Sequence, residues 1–144
     1  MKDALLATVI DEVTAVQEFE SLLAHEEKAL TAAQPLKALP GIIEHKTALT
    51  ERIAALEKQR DAQLGALGLP GGFAGMEAAV AGDERLSEQW GLLCAAARRA
   101  RQGNLNNGVI IRTRMEYNRR TLAAMTVSPE KAGFYGPDGR VPGG

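Results

Sequence analysis

Apolar residues in the first part of the chain recur at alternating steps of three and four. They are Leu6, Val9, Val13, Val16, Leu23 and Leu30, with Glu20 and Glu27 on the intervening steps. At 3.6 residues per turn this spacing draws one seam down a helix. It predicts a helix over about 3–33, roughly 45 Å long. Pro35, Pro40 and Gly41 then break the pattern, because proline removes a backbone donor and clashes with the preceding turn. A second seam follows: Ile42, Lys46, Leu49, Ile53, Leu56, Arg60, Gln63 and Leu67. It predicts a helix over about 39–67. Two helices of similar length across a short breaker fold back as an antiparallel hairpin.

The stretch from Gly68 to Gly82 is glycine-rich, with Leu69-Pro70-Gly71-Gly72 as a stop and Phe73 to Ala81 as a short helix within it. Asp83 is placed to cap a third long helix, whose seam is Leu86, Trp90, Leu93, Ala97 and Ala100. The pattern continues through Ile111, Leu122 and Met125, which predicts a helix over about 83–125. Gly103 falls inside it, where glycine either kinks a helix, ends it or is passed through. Residues 126–144 hold five Gly and three Pro and are expected to form a mobile tail. The expected fold class is all-α: a long helical hairpin plus a third long helix in an elongated three-helix bundle. Residues 1–125 form one domain in this reading, and 126–144 its tail.

Composition supports helices. Hydrophobic residues make up 45% of the chain and aromatics only 4%, with Ala and Leu supplying most of the apolar mass, and both lose little entropy in a helix. No apolar run is long enough to cross a bilayer, and the N-terminus lacks the apolar core of a secretory signal. The lone cysteine, Cys94, has no internal disulfide partner. A cytoplasmic location is expected, with no membrane insertion. The formal charge is −1, but it is unevenly spread. Residues 1–33 carry two Lys against seven Asp or Glu, a net of −5. Residues 98–125 carry seven Arg against one Glu, a net of +6.

Catalytic chemistry finds no foothold. His25 and His45 lie off the helical seams, so a metal site is not expected. Cys94 sits between Leu93 and Ala95 with neither histidine in its segment, which suits packing rather than nucleophilic attack. The glycine-rich stretch lacks the Gly-Lys-Ser/Thr ending of a phosphate-binding loop. The reading is a protein that is not an enzyme and needs no cofactor. Glu27 and Lys46 both occupy seam positions, and antiparallel pairing would bring them together to fix register.

The segment Asn104-Leu105-Asn106-Asn107-Gly108 interrupts the apolar pattern, and Val109-Ile110-Ile111 restores it. Asn104, Asn107 and Asn118 fall on or near the continued seam. This is either a helix break, a set of mutually satisfied amides, or a half-helix whose partner comes from another chain. In the last case Leu105, Ile110, Ile111, Met115, Leu122 and Met125 receive that partner. The arginines Arg98, Arg99, Arg101, Arg112, Arg114, Arg119 and Arg120 raise nucleic-acid binding as an alternative. The near absence of aromatics in the segment and the acidic first helix speak against it. A generic helical adaptor or coiled-coil scaffold is the other alternative.

Several of these features occur in order in one known family. They are the hairpin with Glu27 to Leu30 before its turn and Lys46 to Leu49 after it, Trp90 opening the last helix, Asn104 to Ile111 with Asn118 beyond, and Phe134-Tyr135-Gly136-Pro137-Asp138-Gly139 near the end. In this the chain resembles the FlgN family of flagellar export chaperones. The resemblance implies a cytoplasmic holder for the terminal helical segments of flagellar hook-associated proteins, which keeps them from assembling early and delivers them to the export gate of the type III apparatus. It implies substrate binding by Asn104, Asn107, Gly108, Ile110, Ile111, Asn118 and Leu122. It also implies docking at the export gate by Tyr135 and Gly136. The glycine-rich 68–82 stretch and the density of arginine depart from the family pattern.

Overall fold

In the computed structural model, residues 2–32 and 39–125 are described. They form four helices: α1 (Asp3–Thr31), α2 (Leu39–Ala66), α3 (Gly72–Val80) and α4 (Glu84–Met125). The chain divides into two compact units, residues 1–103 and 104–144. The architecture is all-helical, with the expected hairpin, short third helix and long last helix.

Each boundary has a local cause. Pro40 lies in the first turn of α2, where its missing N–H would have had no intrahelical partner. After α2, the N–H of Leu69 bonds to the Leu64 carbonyl and that of Gly68 to the Gly65 carbonyl. This pair of bonds is a Schellman cap, and Gly68 takes the left-handed conformation it needs at φ +77°. Asp61 Oδ1 then accepts from the Gly72 N–H at 2.9 Å, tying the start of α3 to α2. Lys2 Nζ donates to the Ala79 carbonyl at 2.7 Å, tying the other end of α3 to the start of α1. Asp83 Oδ1 accepts from the Leu86 N–H at 3.1 Å, the N-cap expected from the sequence.

In the unit 1–103, α1 is the central element. Pairing of Glu12 with Arg60 and Glu26 with Lys46 runs antiparallel between α1 and α2. Pairing of Asp3 with Arg85 and Glu20 with Arg99 runs parallel between α1 and the first part of α4. Being covered on two sides, α1 buries two adjacent stripes. One holds Val9, Val13, Val16, Leu23 and Leu30; the other holds Leu5, Thr8, Glu12, Ala15, Leu22, Glu26 and Ala29. The main core joins Leu5, Val9, Val13, Val16 and Leu23 of α1 with Leu64, Met76, Leu86, Leu93 and Ala96. A smaller cluster near the hairpin turn joins Leu22 and Ala29 to Ile42 and Leu49. Each fully buried Leu or Met here contributes about 1.5–3 kcal/mol.

The expected Glu27–Lys46 pair is replaced by Glu26–Lys46. Lys46 Nζ lies 3.1 Å from Glu26 Oε1, and Glu27 is exposed. Lys46 faces the second buried stripe of α1, which holds Glu12, Leu22, Glu26 and Ala29, while Leu23 and Leu30 keep the first stripe buried.

α4 is helical through Gly103. A Cβ added there would lie 3.4 Å from Leu23 Cδ1, so α1 and α4 approach closely at this point. No helix among the described residues is long and apolar enough to cross a membrane.

Candidate functional site

Residues 104–125 continue α4 as helix, so the Asn-rich interruption is not a break. Within this second unit Asn107 is buried, Gly108, Ile110 and Ile111 are half-buried, and Asn104 is exposed. Asn104, Asn107, Ile111, Asn118 and Leu122 follow one another at steps of three, four or seven, so the backbone places them along one face. Gly108 and Ile110 flank that face. Leu105 at 57% and Val109 at 53% exposure stand together, one turn apart, on a different side of the helix, and Met115 is also exposed. Glu116 accepts from both Arg119 and Arg120 at 3.4 Å. Tyr135 and Gly136 lie outside the described residues, as do the side chains of Asn118 and Leu122.

The unit 1–103 holds a second constellation, with one residue from each helix. Arg60 Nη1 of α2 lies 3.5 Å from Glu12 Oε2 of α1. The Arg60 guanidinium carbon lies 5.0 Å from the ring centroid of Trp90 on α4, within cation–π range. Trp90 in turn meets Phe73 of α3, with ring centroids 6.0 Å apart and tilted at 52°. Glu12 is only 2% exposed, and its Oε1 and Arg60 Nε lack hydrogen-bond partners among the described residues. Burial pushes the Glu12 carboxyl up to about 7; Arg60 opposes the shift, while Glu57 and Asp61 add to it.

The family described as FlgN protein matches residues 1–143. The chain belongs to the FlgN family. A relative from Yersinia enterocolitica serotype O:8 / biotype 1B, named Flagella synthesis protein FlgN, is 24% identical over 129 residues, covering 89% of this chain and 82% of the relative. A second protein of that name, from Yersinia enterocolitica, is 23% identical over the same length and shares. No solved structure matches.

In this FlgN family member the sequence-derived site thus maps to the second half of α4, with its residues spread over more than one side. Apolar spacing places Arg60 and Trp90 on their seams but does not link them into the Glu12–Arg60–Trp90–Phe73 chain. The available signal was an arginine at a seam position facing an acidic helix. His25 and His45 are exposed, and His45 Nε2 lies 3.4 Å from Glu18 Oε1. Burial also raises the Cys94 thiol above its ordinary value, which lowers its nucleophilic fraction at neutral pH.

Glu12 gives stability a definite pH dependence. Its folded carboxyl holds a proton more tightly than the unfolded chain does. Its contribution is therefore complete below the ordinary 4.5 and is lost as pH rises through about 7. Full loss corresponds to roughly 3 kcal/mol by linkage. Urea midpoints should fall between pH 5 and 8, and Glu12→Gln should flatten that fall. An unchanged slope in the variant would assign the dependence to other groups.

Proposed function

We propose that this chain works in flagellum synthesis as a cytoplasmic chaperone without catalytic activity. It holds the terminal helical segments of hook-associated proteins, prevents their early assembly and delivers them to the export gate of the flagellar type III apparatus. The family match over nearly the whole chain supports the setting. The observation that carries the binding role is the second half of α4, where Leu105 and Val109 lie more than half exposed. An apolar helix surface of this kind suits reversible docking of another amphipathic helix, with the cost of ordering the cargo limiting affinity. Cargo seats over Leu105 and Val109 and extends around the adjoining side of the helix to engage Asn104, Asn107, Gly108, Ile110, Ile111, Asn118 and Leu122. Residues 126–144 act as a tail, with Tyr135 and Gly136 meeting the export machinery.

Titration calorimetry with the C-terminal segment of a hook-associated protein from the same organism tests this reading. Saturable, equimolar binding is expected. Ile110→Asp combined with Leu122→Asp should abolish it, whereas His25→Ala should leave it unchanged. A folded chain that fails to bind the segment at any salt concentration would overturn the assignment.

A further inference from the structure

Three features of the unit 1–103 converge on one groove. Phe73, one of only six aromatic residues in the chain, is 65% exposed on α3. Gly91 occupies the interior of α4, exposed, with nothing within 4 Å of where a Cβ would sit. Glycine is a poor helix former, and no internal packing here requires it. A glycine so placed leaves room for another backbone to come close. Arg98 and Arg101, further along α4, are exposed and make no ion pair among the described residues. Their neighbour Arg99, by contrast, is held by Glu20 at 2.9 Å.

Gly91, Cys94, Arg98 and Arg101 follow one another at steps of three, four and three, so they lie in line along α4. Together with Phe73 and Trp90 they line a groove of about 530 Å³. Its near end is aromatic and shallow at the glycine; its far end is cationic. Aromatic and arginine side chains beside a small-residue floor are the materials of an interface core.

We propose that this groove receives a short amphipathic helix from a partner protein. The helix packs its apolar side over Gly91 against Phe73 and Trp90, and sets carboxylates over Arg98 and Arg101. The charge fixes the chemistry of the occupant, since two unpaired guanidiniums beside an apolar trough select an acidic helix over a basic one. This surface belongs to α3 and the first half of α4. It stands independently of the cargo reading for residues 104–122, and either can fail without the other.

Trp90 is the single tryptophan, so its emission reports on one position, and the Gly91, Arg98 and Arg101 variants below tie the response to this groove rather than to the Arg60 side of the ring. The full chain is titrated with a synthetic helical peptide of Leu, Ala and Glu of about five turns. The same peptide with Lys in place of Glu, and an oligouridylate, are run in parallel. A saturable change in Trp90 emission is expected with the Glu peptide only. Arg98→Glu with Arg101→Glu should weaken the response about tenfold or more, as should Gly91→Leu, which fills the trough while favouring the helix. Melting followed by circular dichroism confirms that the variants are folded. Equal responses to the Glu and Lys peptides, no response to either, or a response that survives both variants would overturn the proposal. A response to oligouridylate that displaces the Glu peptide would make the groove a nucleic-acid platform and overturn it as well.

Discussion

Glu12→Leu is expected to destabilise the fold by about 3–5 kcal/mol at pH 8, where the Glu12 carboxylate is the counter-charge of the buried Arg60 guanidinium, and by less at pH 6, where that carboxyl is already largely protonated. Arg60 is 9% exposed, so its guanidinium lies almost wholly out of water. The reverse change is not equivalent. With Arg60→Met, Glu12 loses the group that holds its carboxyl down and stays neutral to higher pH. At pH 8 that variant should therefore lose markedly less stability than Glu12→Leu, and the gap should narrow at pH 6. The double variant Glu12→Leu with Arg60→Met removes both desolvation costs, and is expected to be neutral or more stable by about 1–4 kcal/mol. Urea unfolding of the four proteins at pH 6 and pH 8 checks the set. If the two single variants cost the same at both pH values, the buried pair is not what couples α1 to α2 here.

Gly75→Ala should cost about 3 kcal/mol, at the upper end of what a single added methyl does in a packed core. Gly75 is buried in α3. A Cβ there would overlap the Pro70 carbonyl oxygen and lie 3.2 Å from Leu64 Cδ1. The first of these is backbone and cannot swing aside. The first turn of α3 would have to move off the α2–α3 connection, straining the Asp61 bond to the Gly72 N–H. A fall in melting temperature of about 10 °C is the expected reading, at roughly 3 °C per kcal/mol for a chain of this size. Gly65→Ala, on an exposed stretch of α2 with nothing within 4 Å of its Cβ position, is the matched control and should be neutral or stabilising. Equal melting of Gly75→Ala and the parent chain would show that α3 does not pack as closely as described.

The second seam was legible almost residue by residue: Ile42, Lys46, Leu49, Ile53, Leu56, Arg60, Gln63 and Leu67 are all buried or half-buried. α2 offers α1 a single stripe, and a single stripe is what periodicity detects. α1 was read less completely. It is covered on two sides, and its second stripe includes Thr8, Glu12 and Glu26. A polar residue looks like a surface residue to any pattern of apolar positions, so those three were invisible as core. The asparagine segment was misleading in the same way, since its residues read as a possible break and lie within continuous helix.

The sequence by itself determined the helices, their turns and the Asp83 cap, because spacing, proline and glycine act on neighbours within a turn or two. It also carried the family resemblance, since ordered motifs survive without coordinates. Only the tertiary structure decided that Lys46 meets Glu26, that Glu12 and Arg60 are buried together beside Trp90, and that Phe73 and Gly91 border one groove. Those pairings depend on the rotation of each helix about its axis. That rotation is set by how side-chain volumes from all four helices fill the core, and no local pattern records it.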